Sequence, residues 1–289
     1  MTVDLSRLPP PPLLTVDPAA LLEQMHADLK QKWPAADRLS PSSPATKVLE
    51  NGAFLAALLR QEINEQAMGN MLALSVGAAL DQLVANFGVV RAVVDPGDPT
   101  AIPPRPPVME DDERLRTRAQ QAFEGLSVAG PAGAYRFHAL SASADVLDVD
   151  VSSPAPGTVQ VHVLSRVGDG VPSTQLLAVV RAALNADHVR PLTDRLEVLA
   201  GTRVDYAVAA RLELSPGPDG SVVLQSAIAA ATAYVARQRR FRELVTVDGL
   251  HAALRQEGVR RVWLDSPTEA LTTGIGAYPH CTAISVGVA

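Results

Sequence analysis

The chain has 289 residues, enough for more than one hydrophobic core, and 47% of them are hydrophobic against 19% charged, which argues against disorder along its whole length. A formal net charge of −6 with no sustained basic stripe argues against a protein whose main business is to hold phosphate backbones, so no nucleic-acid partner is expected. A lone cysteine, Cys281, cannot close an internal disulfide, so the fold needs no oxidising compartment.

The start, MTVDLSRLPPPPLLTVD, carries consecutive prolines and no apolar core of a secretory signal. Asp17 and Pro18 form a cap and first-turn pair that predicts a short helix to about Trp33, where Pro34 stops it. Residues 34–45 read as a joint. From Thr46 a helical stripe runs through Val48, Leu55, Leu59 and Ile63. After Gly69 a second stripe follows through Leu72, Val76, Leu80, Leu83 and Phe87, as one long broken helix or two helices in a row. The apolar stretch 70–94 is interrupted by Asp81, Asn86 and Arg91, so no membrane span is expected there. Long amphipathic helices with no local sheet need other helices to cover them, often from another chain. The eight apolar positions Leu55, Leu59, Ile63, Leu72, Val76, Leu80, Leu83 and Phe87 are therefore candidate partner-binding residues, and the isolated chain is expected to be loose over its first 90 residues, with weak hydrogen-exchange protection across residues 46–90.

Residues 95–109 are rich in proline and read as a stiff, extended linker. A helix follows, with acidic residues 110–113 in its first turn and Arg114, Arg116 and Arg118 after them, either ordinary helix charges or inter-subunit ion-pair donors. Beyond Gly130-Pro131 the pattern changes to helix (132–144), strand (146–151), strand (158–164), helix (173–186) and a short strand (196–199). From Thr202 the longest strand begins and alternates to Leu214, followed by helices over 222–238 and 247–256 and strands over 258–265 and 282–288. Helix, strand, strand occurs at 132–164 and again at 247–288. The expected architecture is α+β: a helical arm over 1–125 with proline-rich joints, then two small α+β domains of similar plan, 126–200 and 201–289.

Sites for chemistry are weakly supported. Gly168-Asp169-Gly170 lacks the lysine and hydroxyl residue of a phosphate loop and reads as a turn. The histidines at 26, 138, 162, 188, 251 and 280 show no metal-ligand spacing, and His280 would point away from Cys281 on a strand. No catalytic residue, metal or cofactor is expected. Asp148 and Asp150 share a strand face and read as the outward polar side of a hairpin. Arg237, Arg239, Arg240 and Arg242 form the dense basic cluster, either a solvated helix end or a dock for an acidic patch on a neighbouring subunit.

Taken in order, SVGAALDQLVANFGVVR, the proline-rich joint, EDDERLRTR, SVAGPAGAYRFHALSASADVLDVDVSSPAPGTVQVHVL and VRPLTDRLEVLA resemble the Baseplate J-like proteins of contractile phage tails, from about residue 75 to residue 214. The resemblance implies a structural wedge protein of a tail baseplate, assembled in the host cytoplasm, and not an enzyme. Its N-terminal helices would join a bundle with other wedge proteins, tail protein I-like and sheath-initiator W-like. Its α+β domains would link wedges into a ring around the central hub, with two copies per wedge and six wedges, and would pass a change of baseplate state to the sheath. Related proteins serve R-type bacteriocins and other contractile injection machines. The rival expectations are an enzyme with a cleft between the two α+β domains, and a receptor-binding or fibre-anchoring tail subunit. Tyr135 and Arg136, within AGPAGAYR, are tied by the resemblance to fold more than to contact.

Overall fold

The computed structural model describes residues 3–9, 11–127, 129–187, 189–217 and 219–289. Pro10 of the proline run, Val128 of the SVAGPAGAYR motif, His188 and Pro218 therefore lie outside the described residues. The chain divides into two compact units: Thr2–Val90 with Asp111–Ala119, and Arg91–Glu110 with Gln120–Ala289.

The first unit is helical. Helix α1 (Pro18–Lys32) starts where Asp17 accepts hydrogen bonds from the Ala19 and Ala20 amides, with Pro18 supplying the preset φ of a first turn. Helix α2 (Pro44–Gly69) is capped in the same way by Ser43, which accepts from the Thr46 amide. Leu21 and Met25 of α1 pack on Ala53 and Ala57 of α2, and Asn64 of α2 clamps the extended segment before α1 by donating to the Leu14 carbonyl and accepting from its amide, each at 2.8 Å. The second apolar stripe is a separate helix, α3 (Gly77–Ala85), which buries Leu80 and Val84.

Between α2 and α3 the backbone is non-helical, and its carbonyls need donors. Arg116, on helix α4 (Asp112–Gln121), provides them: its side chain donates to the carbonyls of Leu72 (3.0 Å) and Ser75 (2.6 Å) and pairs with Glu113. Arg118 donates to the Val90 carbonyl at 3.2 Å. Both arginines are buried, so they hold this unit together and neither is a solvated helix charge. Arg116→Ala leaves two carbonyls without their donor and should cost the helical unit about 1–3 kcal/mol. Chemical denaturation of the purified variant, with hydrogen exchange over residues 70–76, checks this.

The second unit opens with a departure from the sequence reading. The proline-rich stretch is a hairpin: β1 (Val93–Asp95) pairs antiparallel with β2 (Val108–Met109), Asp98 bridges Arg105, and the Glu110 amide closes on the Ala92 carbonyl at 2.9 Å. Gly97, at φ +70, lies against the returning backbone at Arg105 and Pro106, where a Cβ would clash, and its amide is received by the Asp95 carboxylate at 2.8 Å; the chain reverses between Asp98 and Arg105. A chain that goes out and comes back adds almost no reach, so the segment is no spacer.

A first lobe follows, of α5 (Ala132–Ala142), β3 (Val146–Ala155), β4 (Thr158–Ser165), α6 (Thr174–Leu184) and β5 (Arg195–Ala200). Its sheet runs β3-β4-β5, antiparallel then parallel. Val149, Val161, Val163 and Val198 point to a core closed by Tyr135, Ala139 and Leu140 of α5 and Leu176, Val180 and Leu184 of α6. The second lobe holds β6 (Thr202–Leu214), α7 (Gly220–Gln238), β7 (Leu244–Val245), α8 (Val247–Leu254), β8 (Val259–Ser266), β9 (Leu271–Thr272) and β10 (Ala277–Val288). Its main sheet runs β10-β6-β8, with β6 parallel to β10 and antiparallel to β8, and a small pair β7-β9 stands beside it. Leu212, Val223, Ala227, Ala231 and Leu254 form its core.

The fold is α+β. Each lobe has a central strand with one parallel and one antiparallel neighbour. The chain order differs, because β6 inserts between β8 and β10 and the helix-strand-strand pattern at 247–288 is therefore no hairpin.

Candidate functional site

Helix α2 is inverted relative to a self-contained helix. The residues it turns toward its own chain are small or polar, Ala53, Ala57 and Asn64, all buried. The large apolar residues face outward: Leu55, Leu59 and Ile63 are 50%, 60% and 55% exposed, and Val48, Phe54 and Leu58 extend the same surface. Spacings of three and four residues place these side chains on one side of the cylinder. Single exposed apolar residues are ordinary; here six lie on one side of a single helix.

The candidates after Gly69 divide differently. Val76 is exposed at the entry to α3, and Leu72, Leu83 and Phe87 are half-buried. Leu80 is fully enclosed within the helical unit, so its side chain is not available to a partner.

The basic cluster also divides. Arg237 and Arg240 remain exposed, while Arg239 and Arg242 are engaged inside the second unit. The Arg239 guanidinium donates to the carbonyls of Ser165 and Arg166, both at 3.0 Å, and of Gly168 at 3.1 Å. Arg242 reaches Asp150 at 2.8–2.9 Å from a left-handed backbone, φ +57, that a non-glycine residue adopts only when its surroundings impose it.

Asp148 and Asp150 are buried, contrary to their reading as an outward polar face. Asp148 accepts from the Phe241 amide at 2.9 Å and pairs with Arg136; Asp150 accepts from the Gly276 amide at 2.8 Å and pairs with Arg242. The face of the first sheet opposite α5 and α6 is thus covered by the second lobe, with Leu164 against Phe241 and Tyr278 beside the two carboxylates.

His162 lies in the same seam, opposite Asp150 in the strand register, and its Nδ1 is buried without a hydrogen-bond partner. Burial pushes its pKa below the usual imidazole value; Asp150 pulls it up and Arg242 adds to the drop. Protonation therefore favours the unfolded chain. The associated stability is present above the unfolded value of about 6.5 and is lost as pH falls through the lower folded value. The melting temperature of the second unit should decline from about pH 6.5 downward, and His162→Gln should flatten part of that decline in thermal scans across pH.

Two family models match parts of the chain. The Baseplate J-like N-terminal domain matches residues 41–98, which contain α2 and α3, and the Baseplate J-like central domain matches residues 127–200, which end with β5. The chain is 39% identical over 292 residues to Baseplate protein J of Escherichia phage P2, covering 98% of this chain and 97% of that protein. The chain belongs to the Baseplate J-like family. As a member, it is a structural component of a tail baseplate. A chain in the cryo-EM structure of the anti-feeding prophage baseplate, 6-fold symmetrised, is similar over 62% of this chain at 17% identity and a TM-score of 0.44; the match spans 44% of that chain.

Within this Baseplate J-like protein, the AGPAGAYR motif acts locally. Tyr135 is buried in the first lobe and donates its hydroxyl to the Asp194 carboxylate at 2.8 Å, which fastens α5 to the turn before β5. Burial, with that carboxylate close by, pushes its pKa up. Its neighbour Arg136 is the side-chain partner of Asp148. Sequence reasoning singled out both the Asp148/Asp150 pair and the basic cluster but did not join them. The available signal was their complementarity: a carboxylate pair on a strand, and four arginines within six residues. No helix among the described residues is long and apolar enough to cross a membrane.

Proposed function

We propose that the chain is a wedge subunit of a contractile-tail baseplate, joined to neighbouring wedge proteins through the outward face of α2. The observation that carries this reading is the inversion of α2: its own unit takes alanines, and the leucines, isoleucine and phenylalanine are left for another surface. At roughly 25 cal/mol per Å² of apolar area removed from water, six such side chains contribute several kcal/mol once covered. A helix-on-helix contact suits a straight stripe with spacings of three and four. In this reading the partners are tail protein I-like and sheath-initiator W-like wedge proteins, and Leu55, Leu59, Ile63 and Val76 are contact residues. Arg237 and Arg240 are the cations of the basic cluster left to meet an acidic neighbour.

The second unit supplies contacts between copies, two per wedge, that close a sixfold ring around the hub and link baseplate rearrangement to sheath contraction. Rings reuse one interface many times, so a modest contact per copy suffices. The domain division in this reading is 1–125, 126–200 and 201–289. A photo-crosslinking residue at position 59 in assembled particles tests the central claim. Adducts with another baseplate subunit are expected; a residue 59 that labels nothing but solvent in the intact particle rules the reading out.

A further inference from the structure

We infer that the two α+β lobes are bolted into one lever, and that the baseplate changes state without a hinge opening between them. For the assembled particle this rests on the wedge reading; for the free chain it does not.

The boundary looks like a joint in sequence, since β5 ends at Ala200, β6 starts at Thr202, and a glycine lies between. Its surroundings deny it a hinge's freedom. The Gly201 amide donates to the Val163 carbonyl at 3.0 Å, and the next amide, Thr202, donates to the Gly276 carbonyl at 2.8 Å, so the chain is held on both sides of the crossing. A Cβ at Gly201 would meet the Phe241 ring at 2.6 Å and Tyr278 at 3.2 Å. The glycine serves close packing. β5 and β6 are therefore one nearly continuous run that is an edge of the first sheet and the centre of the second.

Three further fastenings surround that run. Leu164 of the first lobe lies against Phe241 and Tyr278 of the second, whose rings meet edge to face at 6.0 Å. Asp148 and Asp150 each accept a backbone amide from the other lobe, of Phe241 and of Gly276. From the same lobe, Arg239 donates to three carbonyls of the first lobe, and the Tyr278 hydroxyl donates to the Asp169 carbonyl at 3.1 Å. Directional bonds from donors of the second lobe to acceptors spread over the first, around an apolar plug, resist sliding as well as opening. Buried carboxylates make partial opening unfavourable, because each loses charge-assisted bonds before water can replace all of them. The lobes thus share one rigid frame, and rearrangement must pivot outside residues 132–288.

Paired spin labels test this in the full chain. Gln175→Cys on α6 and Ser226→Cys on α7 are exposed, and Cys281→Ser removes the native thiol. Pulsed distance measurements should give a single narrow distribution in the free chain, and the same one in assembled baseplates before and after contraction. A broad or two-peaked distribution in the free chain overturns the inference, and so does a displacement between the two particle states. In the same background, Asp148→Ala with Asp150→Ala should broaden the distribution; if it stays narrow, the carboxylates are not the bolt. Should that variant fail to fold, Arg239→Ala, which leaves both carboxylates paired, replaces it with the same expectation. A narrow distribution in a chain that never enters baseplates would sink the wedge reading alone.

Discussion

Replacing Leu59 with aspartate should abolish baseplate assembly while leaving the purified chain as stable as the wild type. The two halves of this expectation come from one geometric fact. Leu59 is 60% exposed, with Leu55 and Ile63 one turn to either side, so a carboxylate there remains in water in the lone chain and costs within about 0.5 kcal/mol. Once another helix covers the stripe, the same carboxylate is enclosed among apolar groups with no cation or donor, a penalty of several kcal/mol. Each 1.4 kcal/mol is a tenfold loss of affinity, so a deficit of a hundredfold or more in assembled particles is expected. Complementation of a deletion, read as particle titre beside a thermal melt of the purified variant, provides both numbers. Normal titres would show that the face is never buried. The control is Ala53→Asp: it lies on the buried side of α2 and should unfold the helical unit itself.

The parts of this architecture that were legible in sequence are those with a short period. The α2 stripe repeats every three or four residues, and β3, β4 and β6 alternate every two, so which side chains share a face could be read directly. What covers a face could not. Asp148 and Asp150 alternate with Leu147, Val149 and Val151, as an outward polar edge would, but Phe241 and Gly276, far along the chain, roof them over. Arg116 and Arg118 follow acidic residues as solvated helix charges do. Their partners are carbonyls at Leu72, Ser75 and Val90, and a backbone carbonyl has no sequence signature. The prolines of residues 95–109 fix φ locally, yet a stiff chain that runs on and one that turns back between Asp98 and Arg105 have the same composition. The helix-strand-strand pattern of the second lobe hid the fact that β8 and β10 are separated by β6, because pairing between distant strands is settled by packing.

The two members of the Asp150–Arg242 ion pair should respond unequally to removal. Asp150 serves two donors, the Gly276 amide and Arg242, so Asp150→Ala strands both at once. Its side chain is 9% exposed and that of Arg242 48%, which places the loss below the 3–5 kcal/mol of a fully enclosed pair, at about 2–3 kcal/mol. Arg242→Ala is milder. The carboxylate keeps its bond to Gly276, the alanine inherits an unfavourable φ of +57, and about 1–2 kcal/mol is expected. Arg242→Gly accepts that φ at no steric cost and should recover part of the difference, separating backbone strain from the lost charge. Denaturant titrations of the three variants, with the double variant closing a mutant cycle, measure the coupling. Equal losses for Asp150→Ala and Arg242→Ala would mean that the Gly276 amide adds nothing to what the ion pair contributes.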